Sequence, residues 1–262
     1  MTLTLTSPPY FMGKSYDKST KLSDFQAEIS KLAPSLVRLS KDNGSICWQV
    51  GYHAKNGEVY PLDYAIFEAF RTSRDLVLRN RIAWTFGHGE HCRDRFSGRH
   101  ETILWYTKKG DYIFDLDAVR VPQKYPGKRH YKGPRRGEFS GNPFGKNPSD
   151  VWDIPNVKAG HVEKTSHPCQ FPVALAQRLV NALSGSGDTV LDPYAGSGTT
   201  GIAALLAGRR FLGAEVNPKY AKIAEARYQA LARGTLRYRA DLPIRSPQQN
   251  EAVSQKPDHF HF

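Results

Sequence analysis

The sequence predicts an α/β fold built on a parallel sheet, and three observations predict it. Residues 2–6 alternate polar and apolar side chains, are rich in β-branched residues, and run into two consecutive prolines. A glycine-rich turn over residues 192–200 separates a short apolar strand from a helical stretch. From residue 188 onward, strand and helix signals alternate, an order that implies parallel strands with right-handed crossovers.

Each element follows from its own pattern. The strand over 2–6 must end at Ser7-Pro8-Pro9-Tyr10, because adjacent prolines neither continue a ladder nor enter a helix interior. Phe25, Ile29, Leu32, Leu36 and Leu39 recur at helical spacing over 23–40, where Pro34 is expected to kink the helix or split it. After the Asn43-Gly44 turn, residues 45–50 read as a buried strand and 63–74 as a helix. Residues 81–84 and 102–107 read as strands, joined by a polar loop that contains His88, His91 and Cys92.

The composition shifts between residues 120 and 150. Eight Lys or Arg stand there against Glu138 and Asp150, among five Gly, five Pro and four aromatics. No regular helix or central strand accommodates that mixture, so the stretch reads as a long basic loop region. Order returns with a helix over 173–184, its Leu175, Leu179, Val180 and Leu183 on one face. A strand over 188–192, a helix over 199–207, a strand over 210–215, a helix over 218–233 and a last strand over 236–240 complete the pattern. The polar tail over 246–262 is expected to be loose.

The 262 residues suffice for one sizeable α/β domain with insertions or for two small ones. A net charge of +12 points to a polyanionic partner, since clustered Lys and Arg bind phosphates with release of counterions. Cys47, Cys92 and Cys169 are too scattered for a disulfide framework and fit a reducing compartment. No apolar run approaches the roughly 20 residues of a membrane helix, and the start lacks the pattern of a signal peptide. The expected location is cytoplasmic.

Chemistry concentrates in the turn Asp192-Pro-Tyr194-Ala-Gly196-Ser197-Gly198-Thr199-Thr200. Glycines there let the backbone approach a ligand, and the helix start offers unpaired N–H groups. Glu215 ends the next strand, where a carboxylate accepts hydrogen bonds from both hydroxyls of a ribose. The turn lacks the G-x-G-x-x-G pattern, and no Lys follows the second Gly as a P-loop requires. On the residues alone, a structural glycine turn and a nucleotide-binding dehydrogenase remain open.

Residues 191–220, LDPYAGSGTTGIAALLAGRRFLGAEVNPKY, resemble the cofactor-binding half of the amino-methylating DNA methyltransferases. The resemblance implies that Asp192, Tyr194, Gly196, Ser197, Gly198, Thr199 and Glu215, with Asn217 nearby, hold S-adenosylmethionine. Residues 163–172, EKTSHPCQFP, are similar to the family's far pocket wall, which assigns Phe171 and Pro172, with Thr165 and His167, to the same cofactor. Ser7-Pro8-Pro9-Tyr10 resembles the family's catalytic tetrapeptide. Its chemistry is positional, because the lone pair of an exocyclic amine is delocalised into the base. The Ser7 hydroxyl and the Pro8 carbonyl accept the two N–H bonds, Pro9 stiffens the loop, and Tyr10 stacks on the extruded base.

Ser in the first position is typical of cytosine-N4 enzymes of this family, and Asp of many adenine-N6 enzymes with the same motif order. The resemblance therefore favours methylation of cytosine N4 in double-stranded DNA. Adenine N6 and a non-catalytic DNA-binding relative are the alternatives. The tetrapeptide precedes the cofactor turn, as in the circularly permuted beta group, and this order argues against a protein glutamine substrate. The implied architecture is a Rossmann-like S-adenosylmethionine-dependent methyltransferase fold with permuted motifs and an inserted target-recognition region. Residues 1–110 form the catalytic half, 111–160 the recognition region, 161–245 the cofactor half and 246–262 the tail. Arg129, Lys132, Arg135 and Arg136 are the DNA-binding candidates. A homodimer and a cognate restriction endonuclease are open as partners.

Three features carry less. Pro168-Cys169-Gln170 is similar to the nucleophilic tripeptide of cytosine-C5 enzymes but precedes the cofactor turn, so Cys169 reads as a buried or pocket-wall thiol. His88, Glu90, His91 and Cys92 lack a second ligand cluster, and no metal is expected. Asp241 is a weak candidate for an adenine contact.

Overall fold

The computed structural model describes residues 1–10, 21–55, 57–89, 91–125 and 127–240. The elements in chain order are β1 (Leu3–Thr6), α1 (Leu22–Leu39), β2 (Ser45–Val50), β3 (Tyr52–Lys55), β4 (Glu58–Pro61), α2 (Leu62–Arg71), β5 (Leu76–Thr85), β6 (His100–Lys108), β7 (Val151–Asp153), α3 (Val173–Leu183), β8 (Thr189–Asp192), α4 (Thr199–Leu206), β9 (Arg210–Gly213) and α5 (Pro218–Ala232). Asp241 and the tail over 246–262 lie outside the described residues.

Seven strands form one sheet in the order β7-β5-β6-β2-β1-β8-β9. The chain's first strand lies in its middle, parallel to β2 on one side and β8 on the other. β9 continues the parallel set beside β8. β6 runs antiparallel to both β2 and β5, so the sheet is mixed at that end. The cause is the connection between β5 and β6, which returns along the sheet with no crossover helix. One edge thus collects the carboxyl ends of β1, β2, β5, β8 and β9 and the start of β6. Ligands of open α/β sheets bind at such an edge.

Both faces are covered. Leu3, Leu5, Cys47, Ile82 and Trp105 pack under Leu175, Leu179 and Val180 of α3 and Ala203 of α4. On the other face Ile46, Trp48, Val50 and Leu104 pack under Phe25, Ile29 and Leu36 of α1 and Ile66 and Phe70 of α2. Successive residues of β2 thereby feed opposite cores, as strand alternation requires.

Several expectations are corrected. Pro34 does not split α1; it sits on the helix's exposed side, while Ala33 and Leu36 keep the buried stripe continuous. No strand forms over 236–240. The Thr235 and Leu236 amides cap α5 through the Ala230 carbonyl, and the Arg239 amide donates to Glu163 Oε1 at 3.0 Å. β5 starts five residues earlier than expected and carries an irregularity between Leu78 and Asn80. The β3–β4 hairpin and β7, short elements outside the main pattern, had no clear sequence signal. Among the described residues of 120–150 the only pairings are isolated bridges, Val121 to Lys146 and Arg129 to Phe139. No helix among the described residues is long and apolar enough to cross a membrane.

Candidate active site

β8 delivers Asp192 to the carboxyl edge, but its side chain turns inward and is 1% exposed. Thr6 donates to its Oδ1 at 2.6 Å, the Tyr194 amide to the same oxygen at 3.0 Å, and Thr200 to Oδ2 at 2.7 Å. The carboxylate thus ties the end of β1 to the turn and the start of α4. Burial pushes its pKa up to about 6, against the three hydrogen bonds that favour ionisation. The turn itself depends on left-handed glycines. Gly198 has φ +77°, and a Cβ there would stand 2.6 Å from the Tyr228 hydroxyl. Glu215 accepts the Gly196 amide at 2.9 Å and the Asn217 amide at 2.7 Å, so its carboxylate is held at the mouth of the turn.

A buried pair on the inner side braces this turn. Arg227 of α5 is 7% exposed and donates to the Ser197 carbonyl at 2.6 Å and to Thr199 Oγ1 at 3.0 Å. Its other nitrogen lies 4.0 Å from Glu163, whose Oε2 accepts the Val173 amide at 2.9 Å. Glu163 links the 163–172 segment to α3, to residue 239 and, through Arg227, to the glycine turn.

Over the turn lies a cavity of about 390 Å³. Of the residues put forward for the cofactor, His167, Phe171, Tyr194, Gly196, Ser197, Thr199, Glu215 and Asn217 line it. Ser7, Pro8, Pro9 and Tyr10 line it too. Thr165, Pro172, Asp192 and Gly198 are outside its lining. Thr165 holds the 163–172 loop by donating to Gln170 Oε1 at 3.0 Å, and Pro172 starts α3. His167 stacks edge-on against Tyr220 at 4.4 Å, closing one side.

A second cavity of about 330 Å³ adjoins the first. Ser7, Tyr10, Cys169, Gln170 and Phe171 line both. The tetrapeptide therefore stands in the wall between two chambers. On the second side, Gln49 donates to the Tyr10 hydroxyl at 2.9 Å and also to Glu101. The Tyr10 hydroxyl lies 3.3 Å from Glu101 Oε2 and 3.3 Å from Ser7 Oγ. Burial first and Glu101 second raise the Tyr10 pKa well above its usual value, so the phenol keeps its proton and donates.

Sequence reasoning missed Gln49, Glu101, Glu163 and Arg227. One signal existed: Gln49 is a long polar residue near the end of SICWQV, a strand that reads as buried. Glu101 needs the pairing of β6 with β2 and β5 before it faces the site.

The basic segment is arranged as a small loop. The Arg129 guanidinium covers the Phe139 ring at 4.1 Å and donates to the Gly137 carbonyl at 2.5 Å. Arg135 pairs with Glu138 at 2.9 Å. Lys132 and Arg136 stand exposed beside the turn. Among the described residues no group of His, Cys, Asp and Glu has metal-binding geometry, and Glu90 lies outside them. Cys169 is an exposed wall residue, not a buried one.

The DNA methylase family model for N6 and N4 enzymes matches residues 1–226. The type II methyltransferase M.BglII of Bacillus subtilis is 45% identical over 231 residues, which cover 88% of this chain and 63% of that enzyme. The match thus spans less than two thirds of that relative. The DNA adenine methyltransferase YhdJ of Escherichia coli is 31% identical, with 84% of this chain and 74% of YhdJ covered. A Thermus thermophilus methylase structure complexed with S-adenosyl-L-methionine superposes with a TM-score of 0.59 at 31% identity, covering 86% of this chain and 84% of that one. The PvuII DNA methyltransferase, cytosine-N4-specific, has the same fold at a TM-score of 0.67 and 18% identity, covering 86% of this chain and 78% of its own. Sequence, fold and the two-chambered edge agree, and the chain belongs to the N6/N4 DNA methylase family.

Proposed function

We propose that this chain is a site-specific DNA methyltransferase that uses S-adenosylmethionine to methylate the exocyclic N4 amine of cytosine in double-stranded DNA. The observation that carries the proposal is Ser7 in the wall shared by the two cavities. Direct methyl transfer needs donor and acceptor pockets that meet at one point, with hydrogen-bond acceptors aimed there.

The first chamber fits S-adenosylmethionine. A cavity of about 390 Å³ suits a nucleoside-sized ligand. Glu215 accepts ribose hydroxyls, and the exposed apolar Val216, 91% accessible beside it, offers a surface to an adenine ring. The turn's glycines let backbone amides reach the ligand, and Phe171 and Tyr194 supply aromatic walls. When bound, the cofactor supplies an electrophilic methyl group on a sulfonium. The chain's residues do the rest by positioning. Ser7 Oγ and the Pro8 carbonyl hold the amine's two hydrogens, which directs the nitrogen lone pair toward the first chamber. Pro9 limits the loop's freedom. Gln49 and Glu101 fix the Tyr10 hydroxyl, so its ring holds one orientation against the extruded base.

Ser7 favours cytosine because a hydroxyl donates as well as accepts, whereas an ionised Asp only accepts. Adenine N6 is the second reading, favoured by the similarity to an adenine methyltransferase. The identity of the methylated nucleoside decides between them: N4-methyldeoxycytidine supports the proposal and N6-methyldeoxyadenosine overturns its base assignment. The partners that go with this reading are duplex DNA and, as for type II methyltransferases, a cognate restriction endonuclease, in the cytoplasm.

A further inference from the structure

Phe96 is 99% exposed, at the tip of the loop that joins β5 to β6. A lone exposed apolar side chain carries nothing by itself; its place and neighbours do. Phe86 and Gly89 of the same loop line the second chamber together with Ser7 and Tyr10. Tyr52, Phe86 and His100 line both that chamber and the open cleft that Phe96 borders. Tyr131 and Phe144 are exposed nearly as fully, but no described residue of 120–150 lines either space.

The loop is anchored while its tip stays bare. The Phe86 amide donates to the Arg99 carbonyl at 3.0 Å, the Cys92 amide to Ser97 Oγ at 3.0 Å, and Asn156 to the His88 carbonyl at 3.0 Å. Gly98 lies so close to the Tyr52 hydroxyl that a Cβ would overlap it. Arg93, Arg95 and Arg99 lie within three residues of the phenylalanine in sequence, against the single carboxylate Asp94, and Arg99 also donates to the Gly98 carbonyl at 2.8 Å. An exposed apolar ring in a basic segment beside the second chamber suits one partner, duplex DNA. Phosphates meet the arginines, and the ring meets the base stack.

We propose that Phe96 is a wedge that enters the DNA stack where the target base is turned out into the second chamber. The inference rests on the methyl-transfer reading above. Extruding a base removes its stacking on both neighbours, and an apolar side chain in the gap restores part of it.

The chain's four tryptophans, Trp48, Trp84, Trp105 and Trp152, are 0, 3, 5 and 6% exposed. A Phe96→Trp variant therefore adds a single accessible indole. Its quenching by acrylamide is read with and without sheared bacterial genomic DNA, and methyl incorporation from labelled S-adenosylmethionine is measured on the same DNA. The expected result is strong shielding of the new indole by DNA, and a kcat/KM that falls on the order of ten-fold in Phe96→Ala but stays within about two-fold of wild type in Phe96→Trp. An indole equally accessible with and without DNA, with Phe96→Ala methylating at the wild-type rate, overturns the wedge and leaves the methyl-transfer reading intact. A wild-type protein that labels no DNA overturns that reading, and the wedge with it, whether or not the indole is shielded.

Discussion

Asp192 accepts hydrogen bonds from Thr6, Thr200 and the Tyr194 amide, yet burial holds its pKa up, to about 6. An acid whose folded pKa exceeds its unfolded value binds its proton more tightly when folded. Its stabilising contribution is complete below about pH 4 and is lost as pH rises through about 6. The stability gap between wild type and Asp192→Asn, from urea unfolding, is therefore expected to narrow between about pH 4 and pH 7. A gap that widens would mean that the three donors outweigh burial. In the proposed reaction Ser7 acts on the amine itself. Ser7→Ala is expected to leave cofactor affinity within about two-fold and to lower methylation by on the order of 10²-fold. Glu215→Ala is expected to weaken cofactor binding first, so equilibrium dialysis with labelled cofactor separates the two roles. Equal losses of binding in both variants would contradict the assignment.

At the scale of elements, α5 carries more than its exposed surface suggests. Arg227 reaches from it to the Ser197 carbonyl and Thr199, and meets Glu163 from the segment before α3. Removing one partner of a buried pair costs about 3–5 kcal/mol, and the low end applies because Glu163 keeps the Val173 and Arg239 amides. Arg227→Met is expected to lose about 3 kcal/mol in urea unfolding and to bind cofactor more weakly, because the turn loses its brace. A variant with unchanged affinity would show that the turn holds its shape alone. This pair was invisible in the sequence because its members lie 64 positions apart: Glu163 opens the 163–172 segment, but nothing there points to Arg227 in α5. The glycine turn was legible because its glycines, strand and helix are contiguous. The expected strand over 236–240 shows the opposite failure. Its apolar and polar pattern suits a strand, but cap hydrogen bonds to Ala230 and the Arg239 bond to Glu163 take the backbone amides instead.

For the whole molecule, the four parallel strands β2, β1, β8 and β9 set up the two-chambered edge. Local pattern identified each of these strands, but not their order in the sheet. The tetrapeptide at residues 7–10 and the turn at 192–200 meet only because β1 lies beside β8. Gln49 and Glu101 join them only through the β2–β6 pairing. The net charge of +12 predicts binding to DNA that weakens steeply with salt. Lys132→Ala and Arg136→Ala are each expected to reduce the slope of log affinity against log salt by about 1 if they contact phosphates. An unchanged slope in both would move the DNA contact away from this loop.

The most direct measurement is mass spectrometry of nucleosides from DNA of varied sequence, incubated with isotope-labelled S-adenosylmethionine and either wild type or Ser7→Ala. Labelled N4-methyldeoxycytidine is expected with the wild type and almost none with the variant. Labelled N6-methyldeoxyadenosine, or equal labelling by both proteins, would contradict it.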